Sequence, residues 1–246
     1  MAHLYFASDG ARFIEGETVV LGPEESRHAA VVSRLREGEA ISVGDGRGVI
    51  ARAIATLVTA QRVELLLTAV TRAEPPSPPL WLVQALAKGG RDEQAIEQAT
   101  EIGVSRVIPW QASRSVVKWD EGKSLRNVER WQKIVTEATK QSMGAVVPDV
   151  SGLLRGDEVT SLLSLATVIV LEPTASQSLA TLLPTLPKGQ PIALVVGPEG
   201  GVSPHERDLL TQGGASEARL GPGVLRASAA GPVALALCHQ VLGHWD

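Results

Sequence analysis

The 246-residue chain has one cysteine, Cys238. A lone thiol excludes a disulfide framework within the chain and any cysteine-cluster metal site. It falls in an apolar C-terminal run, where a free cysteine reads as a small packing residue rather than a nucleophile. The five histidines are scattered without metal-ligand spacing, so no metal is expected. No run approaches eighteen apolar residues, which argues against a membrane-spanning helix. Met1 to Gly10 lacks a positive region followed by an uninterrupted apolar one, and the expected location is cytoplasmic. A global basic field is also missing: the formal net charge is −4, so any contact with nucleic acid must come from a local patch. Residues 80–150 hold what basic excess there is, ten lysines and arginines against nine acids. With 44% hydrophobic residues the chain can bury the core of one large or two modest domains.

What is present centres on Ile192-Ala193-Leu194-Val195-Val196-Gly197-Pro198-Glu199-Gly200-Gly201. Five apolar residues with β-branched members read as a buried strand, and the glycines let the backbone turn beside a ligand. Ser203-Pro204-His205-Glu206 then has the form of a capping box with proline at the first helical position. Strand, glycine turn and capped helix make a binding edge at the carboxyl end of a sheet strand. Leu220-Gly221-Pro222-Gly223-Val224-Leu225-Arg226 is a second glycine turn, leading into an apolar run of helix length from Val233 to Leu242. Two such loops can line one pocket for a flat ligand read by backbone amides and carbonyls. The bland alternative is two ordinary tight turns. Neither has the Gly-Lys-Ser/Thr of a P-loop or the dinucleotide fingerprint, so a triphosphate or NAD is not indicated.

Residues 1–72 are rich in short strand-like runs separated by glycine turns, which favours a small antiparallel barrel. One helix is expected within it, Glu24 to Arg36, with Ala29, Val32 and Leu35 on one face. Its Arg27, His28, Arg34 and Arg36 form either a solvated basic face or an RNA contact. Residues 73–79, with four prolines in five positions, read as a stiff linker. From residue 80 to 246, strands at Leu80–Ala87 and Arg106–Trp110 flank a helix ended by Gly103, the alternation of a parallel sheet with crossover helices. Ser124 to Met143 is the strongest helix, with a stripe of Leu125, Val128, Trp131, Val135 and Ala138 read as core. Leu153 to Leu165 is expected to be another helix, and Thr167 to Leu171 a strand. Periodicity alone gives a doubly wound α/β domain behind a small β-barrel, and chain physics predicts it unknotted.

The two glycine loops, in this order and near the C-terminus, resemble the ribosomal RNA small subunit methyltransferase E family of the SPOUT superfamily. The likeness runs along nearly the whole chain. Arg27-His28 and Val31-Val32-Ser33-Arg34 resemble a segment of the family's PUA-like N-terminal domain. Lys88, Arg91 and Glu101-Ile102-Gly103 resemble its Lys-Gly-x-Arg and Glu-Leu-Gly segment, and Arg114-Ser115 its Arg-Ser. Arg130-Trp131, Glu137-Ala138, Gln141-Ser142 and Pro148 resemble its long helix and the proline closing it. Gly144 and Val146 stand where the family usually has arginines, and Ser228 where its Leu-Arg-x-Glu-Thr-Ala has glutamate.

The resemblance implies a PUA-like β-barrel RNA-binding domain over 1–72 and a SPOUT methyltransferase domain over 80–246, with a trefoil knot and homodimer assembly. It implies S-adenosyl-L-methionine as methyl donor and a uridine N3 of 16S rRNA, free or in the small ribosomal subunit, as substrate. The donor would meet Leu171, Glu172, Pro173, Val196, Gly197, Pro198, Glu199, Gly200, Gly201, Leu220, Gly221, Val224, Leu225 and Arg226. RNA would meet Arg27, His28, Arg34, Lys88, Arg91 and Arg114. Arg226 is the first catalytic candidate, stabilising the developing uridine anion or orienting the base; Glu199 is the second, as a base or an organiser of its loop. Each has a plainer reading, Arg226 as a helix-entry ion pair and Glu199 as a turn residue. Ser228 reads as a cap of the last helix. Ribose 2′-O methylation within the same superfamily, a non-catalytic RNA-binding module and a nucleotide-binding oxidoreductase are the competing readings.

Overall fold

The computed structural model describes residues 4–245, so residues 1–3 and 246 of the two expected domains lie outside the described residues. Residues 4–75 with 139–147 form one compact unit, and residues 76–138 with 148–245 another.

The first unit is built on β1 (Leu4–Phe6), β2 (Thr18–Val20), β3 (Ala40–Gly44), β4 (Val49–Val58) and β5 (Val63–Arg72), in the order β1-β3-β4-β5-β2. Along β4, Val49, Ala51, Ala53 and Ala55 are buried and the residues between them are not, the two-residue period that puts one strand face in a core. Pairing is antiparallel except between β1 and β3, which run parallel, a departure from the wholly antiparallel expectation. A bridge between Ala7 and Leu21, with Ser8 N–H donating to the Val20 carbonyl at 3.0 Å, joins the two outermost strands. Residues 139–147 belong here through Gly48 N–H to the Ala145 carbonyl (3.0 Å), Val147 N–H to the Gly46 carbonyl (2.9 Å) and an ion pair of Lys140 with Glu25 (2.7 Å). The helix expected over Glu24–Arg36 is shorter: α1 (Pro23–Arg27) passes into a wider π turn over His28–Val32. The extra residue in that turn rotates the stripe, so Ala29 and Leu35 are buried while Val32 is exposed.

The second unit carries a seven-stranded sheet in which every pairing is parallel. Its strands are β6 (Leu80–Ala85), β7 (Arg106–Gln111), β8 (Asp149–Val150), β9 (Leu154–Arg155), β10 (Thr167–Leu171), β11 (Ile192–Val196) and β12 (Ser216–Ala218). The order is β12-β10-β11-β6-β7-β8, with β9 also paired to β7, so the all-buried β11 is central. Its helices are α2 (Arg91–Ile102), α3 (Glu121–Gln141), α4 (Leu179–Leu182), α5 (Pro204–Gln212) and α6 (Ala227–Leu242). On one face Val83, Ile108, Val168 and Val195 pack with Val159 and Leu162 of a 3-10 run and with Leu210 of α5. On the other, α6 lies against α2, β6 and β11. Gly231 makes that approach possible, because a Cβ there would sit 2.8 Å from Leu82 Cδ1.

Three local expectations are corrected. Residues 153–165 are not an α-helix but β9 followed by the 3-10 run Gly156–Ser164. Leu125, expected in the core, is 74% exposed, because α3 buries its stripe only from Trp131 onward. Ser228 does not cap the last helix: α6 begins at Ala227 with Arg226 at the cap position, and Ser228 is buried inside its first turn. Cys238 is fully buried, and burial raises its thiol to about 12, as suits a packing residue.

Candidate functional site

The carboxyl ends of β10 and β11 open into a cavity of about 370 Å³. Three segments wall it: Leu171 to Pro173 after β10, Val196 to Val202 after β11, and Leu220 to Arg226 ahead of α6, whose Ala227 and Ala230 close one side. The second of these is held from several directions. Gly197 permits a tight fold-back, since a Cβ there would meet the Val202 backbone nitrogen at 2.8 Å. Glu199 Oε1 accepts from the Lys88 N–H (3.2 Å) and from Arg91 Nη1 (3.2 Å). Arg114 Nη1 donates to the Gly200 carbonyl (3.0 Å) from behind. Ser203 and Glu206 form the capping box expected of them, with Glu206 N–H donating to Ser203 Oγ (3.2 Å) and Ser203 N–H to Glu206 Oε2 (3.1 Å).

The third segment differs. Among the described residues, 221–225 make no hydrogen bond, and Val224 is 80% exposed. Arg226 lines the cavity with its side chain exposed and without a hydrogen bond or ion pair among the described residues. At the first segment, Glu172 Oε1 accepts from the Thr174 N–H (3.1 Å) and hydroxyl (2.8 Å) while Arg207 stands 3.4 Å from its Oε2. Arg207 is committed to Glu217 by two bonds of 2.7 and 2.8 Å, which raise the guanidinium further above its ordinary value.

Residues 74–239 match the family model of an RNA methyltransferase domain. A ribosomal RNA small subunit methyltransferase E from Mycobacterium bovis is 36% identical over 236 residues, covering 94% of this chain and 89% of that protein. The chain belongs to the ribosomal RNA small subunit methyltransferase E family. A second member, from Bacillus subtilis, is 31% identical, with 88% of this chain and 87% of that protein covered. The crystal structure of a third, from Neisseria gonorrhoeae bound to S-adenosyl methionine, has a TM-score of 0.83 at 24% identity over 98% of each chain, a likeness of fold.

Within this member of the methyltransferase E family, most residues expected at a donor site come together in the one cavity: Leu171, Glu172, Pro173, Val196, Gly197, Pro198, Glu199, Gly201, Leu220, Val224, Leu225 and Arg226. Gly200 and Gly221 do not line it; Gly200 is turned against Arg114, and Gly223 lines it where Gly221 does not. Arg91, assigned to RNA from sequence, lines this cavity and pairs with Glu199, and Arg114, also assigned to RNA, donates to the Gly200 carbonyl and is exposed. Lys88 reaches the loop through its backbone, leaving its side chain exposed. Arg27, His28 and Arg34 are exposed residues of the first unit. Sequence reasoning missed Glu206 as more than a cap; its partner Ser113 lies 93 positions away, and no local pattern announces such a bond. Among the described residues no cluster of histidine, cysteine, aspartate or glutamate could hold a metal ion.

Proposed function

We propose that the cavity binds S-adenosylmethionine and that the protein methylates N3 of a uridine in 16S rRNA. The fit to the donor rests on the wall itself: glycine- and proline-bearing segments with apolar side chains such as Leu171 and Leu220, two cationic and two anionic residues, and a volume within the roughly 300–1,000 Å³ range of small-molecule sites. When bound, the donor supplies an electrophilic methyl group on a sulfonium. The chain's own residues hold it and manage the acceptor. Uridine N3 carries a proton at neutral pH, so transfer needs that proton removed or the resulting anion stabilised.

The observation that carries this reading is the guanidinium of Arg226 at the cavity, which has no partner among the described residues. A fixed positive charge with several donors suits a developing uracil anion spread over N3 and its flanking carbonyls. Glu199 shares its Oε1 with Arg91 and the Lys88 amide, which supports its role as organiser of the donor loop over that of base. With Ser228 buried where family members carry glutamate, the proton leaves to solvent or to a group on the RNA.

In the same reading residues 1–72 are a PUA-like RNA-binding barrel whose Arg27, His28 and Arg34 contact RNA, and residues 80–246 are a SPOUT domain with a trefoil knot. The exposed apolar Val233, Val241 and Trp245 support a homodimer. The family's substrate supports a cytoplasmic protein. Mass spectrometry of nucleosides from 16S rRNA of cells with and without the protein tests the reaction. Loss of 3-methyluridine supports the reading; loss of a 2′-O-methyl nucleoside instead, or no change, overturns it.

A further inference from the structure

Glu206 is 1% exposed, and its carboxylate accepts four hydrogen bonds. Oε1 takes the Ser113 N–H at 2.7 Å; Oε2 takes the Ser113 hydroxyl at 2.9 Å, the Ser203 N–H at 3.1 Å and the Ser203 hydroxyl at 2.6 Å. A capping box needs only the Ser203 pair, and there glutamine serves as well as glutamate. The Ser113 pair is additional, and it changes the requirement: both oxygens must accept, which an amide cannot do. Burial by itself would raise this carboxyl, yet the bonds from Ser203 and Ser113 hold it below the ordinary carboxylate value, so the accepting form persists.

Ser113 and Ser203 lie on different segments, one after β7 and one after the glycine loop that walls the cavity. Next to Ser113, Arg114 reaches the Gly200 carbonyl, and a Cβ on Gly200 would touch Arg114 Cβ at 3.4 Å. Glu206 therefore ties the far end of the loop to the segment that backs its middle.

We propose that Glu206 is a positioning residue for methyl transfer, clipping the Ser113–Arg114 segment to the glycine loop so that the loop keeps the shape that receives the donor. This rests on the donor site proposed above. In Glu206→Gln, whichever way the amide turns, its NH2 faces an N–H of Ser113 or Ser203 and one segment is released. A merely structural residue would lower the active fraction, and hence kcat, without moving the donor KM; a positioning residue does the reverse.

Purified Glu206→Gln and Ser113→Ala proteins are compared with wild type by calorimetric titration of S-adenosylmethionine and by steady-state methylation of small ribosomal subunits. The expected result is a donor Kd and KM raised about tenfold in Glu206→Gln and about threefold in Ser113→Ala, with kcat at saturating donor and the subunit KM within about twofold of wild type. Donor affinity within about twofold of wild type in both variants, or a fall confined to kcat, overturns the proposal. If Glu206→Gln fails to fold, Ser113→Ala decides alone, since Ser113 is exposed and its loss removes one bond. Wild-type protein that binds no donor overturns the donor site and the clip together; wild type that binds, with variants that bind equally well, overturns the clip only.

Discussion

The two glycine segments of the cavity look alike in sequence and are held differently. Residues 197–201 are fixed by a fold-back on Val202, by Glu199 to Arg91 and Lys88, and by Arg114 on Gly200. Among the described residues, 221–225 make no hydrogen bond, and the Arg226 side chain beyond them has no partner. Glycine therefore does opposite jobs in the two places. In the first it permits a shape that many bonds then enforce; in the second it leaves a shape open. In the reading proposed above both segments wall the donor's cavity: the fixed one sets the donor's place, and the open one leads to Arg226, where the base would be met.

The sharpest way to break this division is Arg226→Ala. Single-turnover methylation should fall about 10²- to 10³-fold, the scale of removing one preorganised charge-stabilising donor, with S-adenosylmethionine affinity within about threefold of wild type. A large loss of donor affinity would move Arg226 to the donor side. Next in size is Gly197→Ala, which sets a methyl 2.8 Å from the Val202 nitrogen. It should cost about 1–3 kcal/mol of stability, read by chemical denaturation, and weaken donor binding in parallel. Glu199→Ala, which frees Arg91 and the Lys88 amide, should weaken donor affinity about tenfold while the pH–rate profile keeps its shape, since no base has been lost.

Acid offers a milder test. The folded Glu206 carboxyl lies below its ordinary value, so its contribution to stability is complete above the unfolded-chain value near 4.3 and is lost as pH falls through the folded one. Denaturation midpoints of wild type and Glu206→Gln should differ at pH 7 and converge only as pH falls below the folded carboxyl's lowered value. The smallest effect is expected at Val224→Ala. With the side chain 80% exposed, stability should change by less than about 0.5 kcal/mol, and any change in KM should appear for the donor, whose proposed cavity Val224 lines.

What the sequence made legible was whatever is written in near neighbours. The apolar run Ile192–Val196, the glycine turn and the Ser203–Glu206 cap are local features, and each is found where expected. The pairing of Arg91 with Glu199, 108 positions apart, is not local, and no pattern near either residue announces it. The same limit hid the bonds of residues 145–147 to the turn at Gly46–Gly48, since neither stretch carries a mark of the other. The π turn at His28–Val32 escaped for a different reason: one added residue shifts a helical stripe, and Ala29, Val32 and Leu35, each three positions apart, suggest a regular helix that the backbone does not follow. Leu125 misled because periodicity tells which residues share a face, not how far along α3 that face stays covered.

The unbonded stretch at 221–225 also bears on how such an enzyme diverges. Replacing side chains there breaks no hydrogen bond among the described residues, so that wall of the cavity can vary without first repairing the protein. The bonded wall has no such latitude: at Gly197 even one added carbon collides with main chain. Selection can thus reshape one side of the cavity while inheriting the other unchanged.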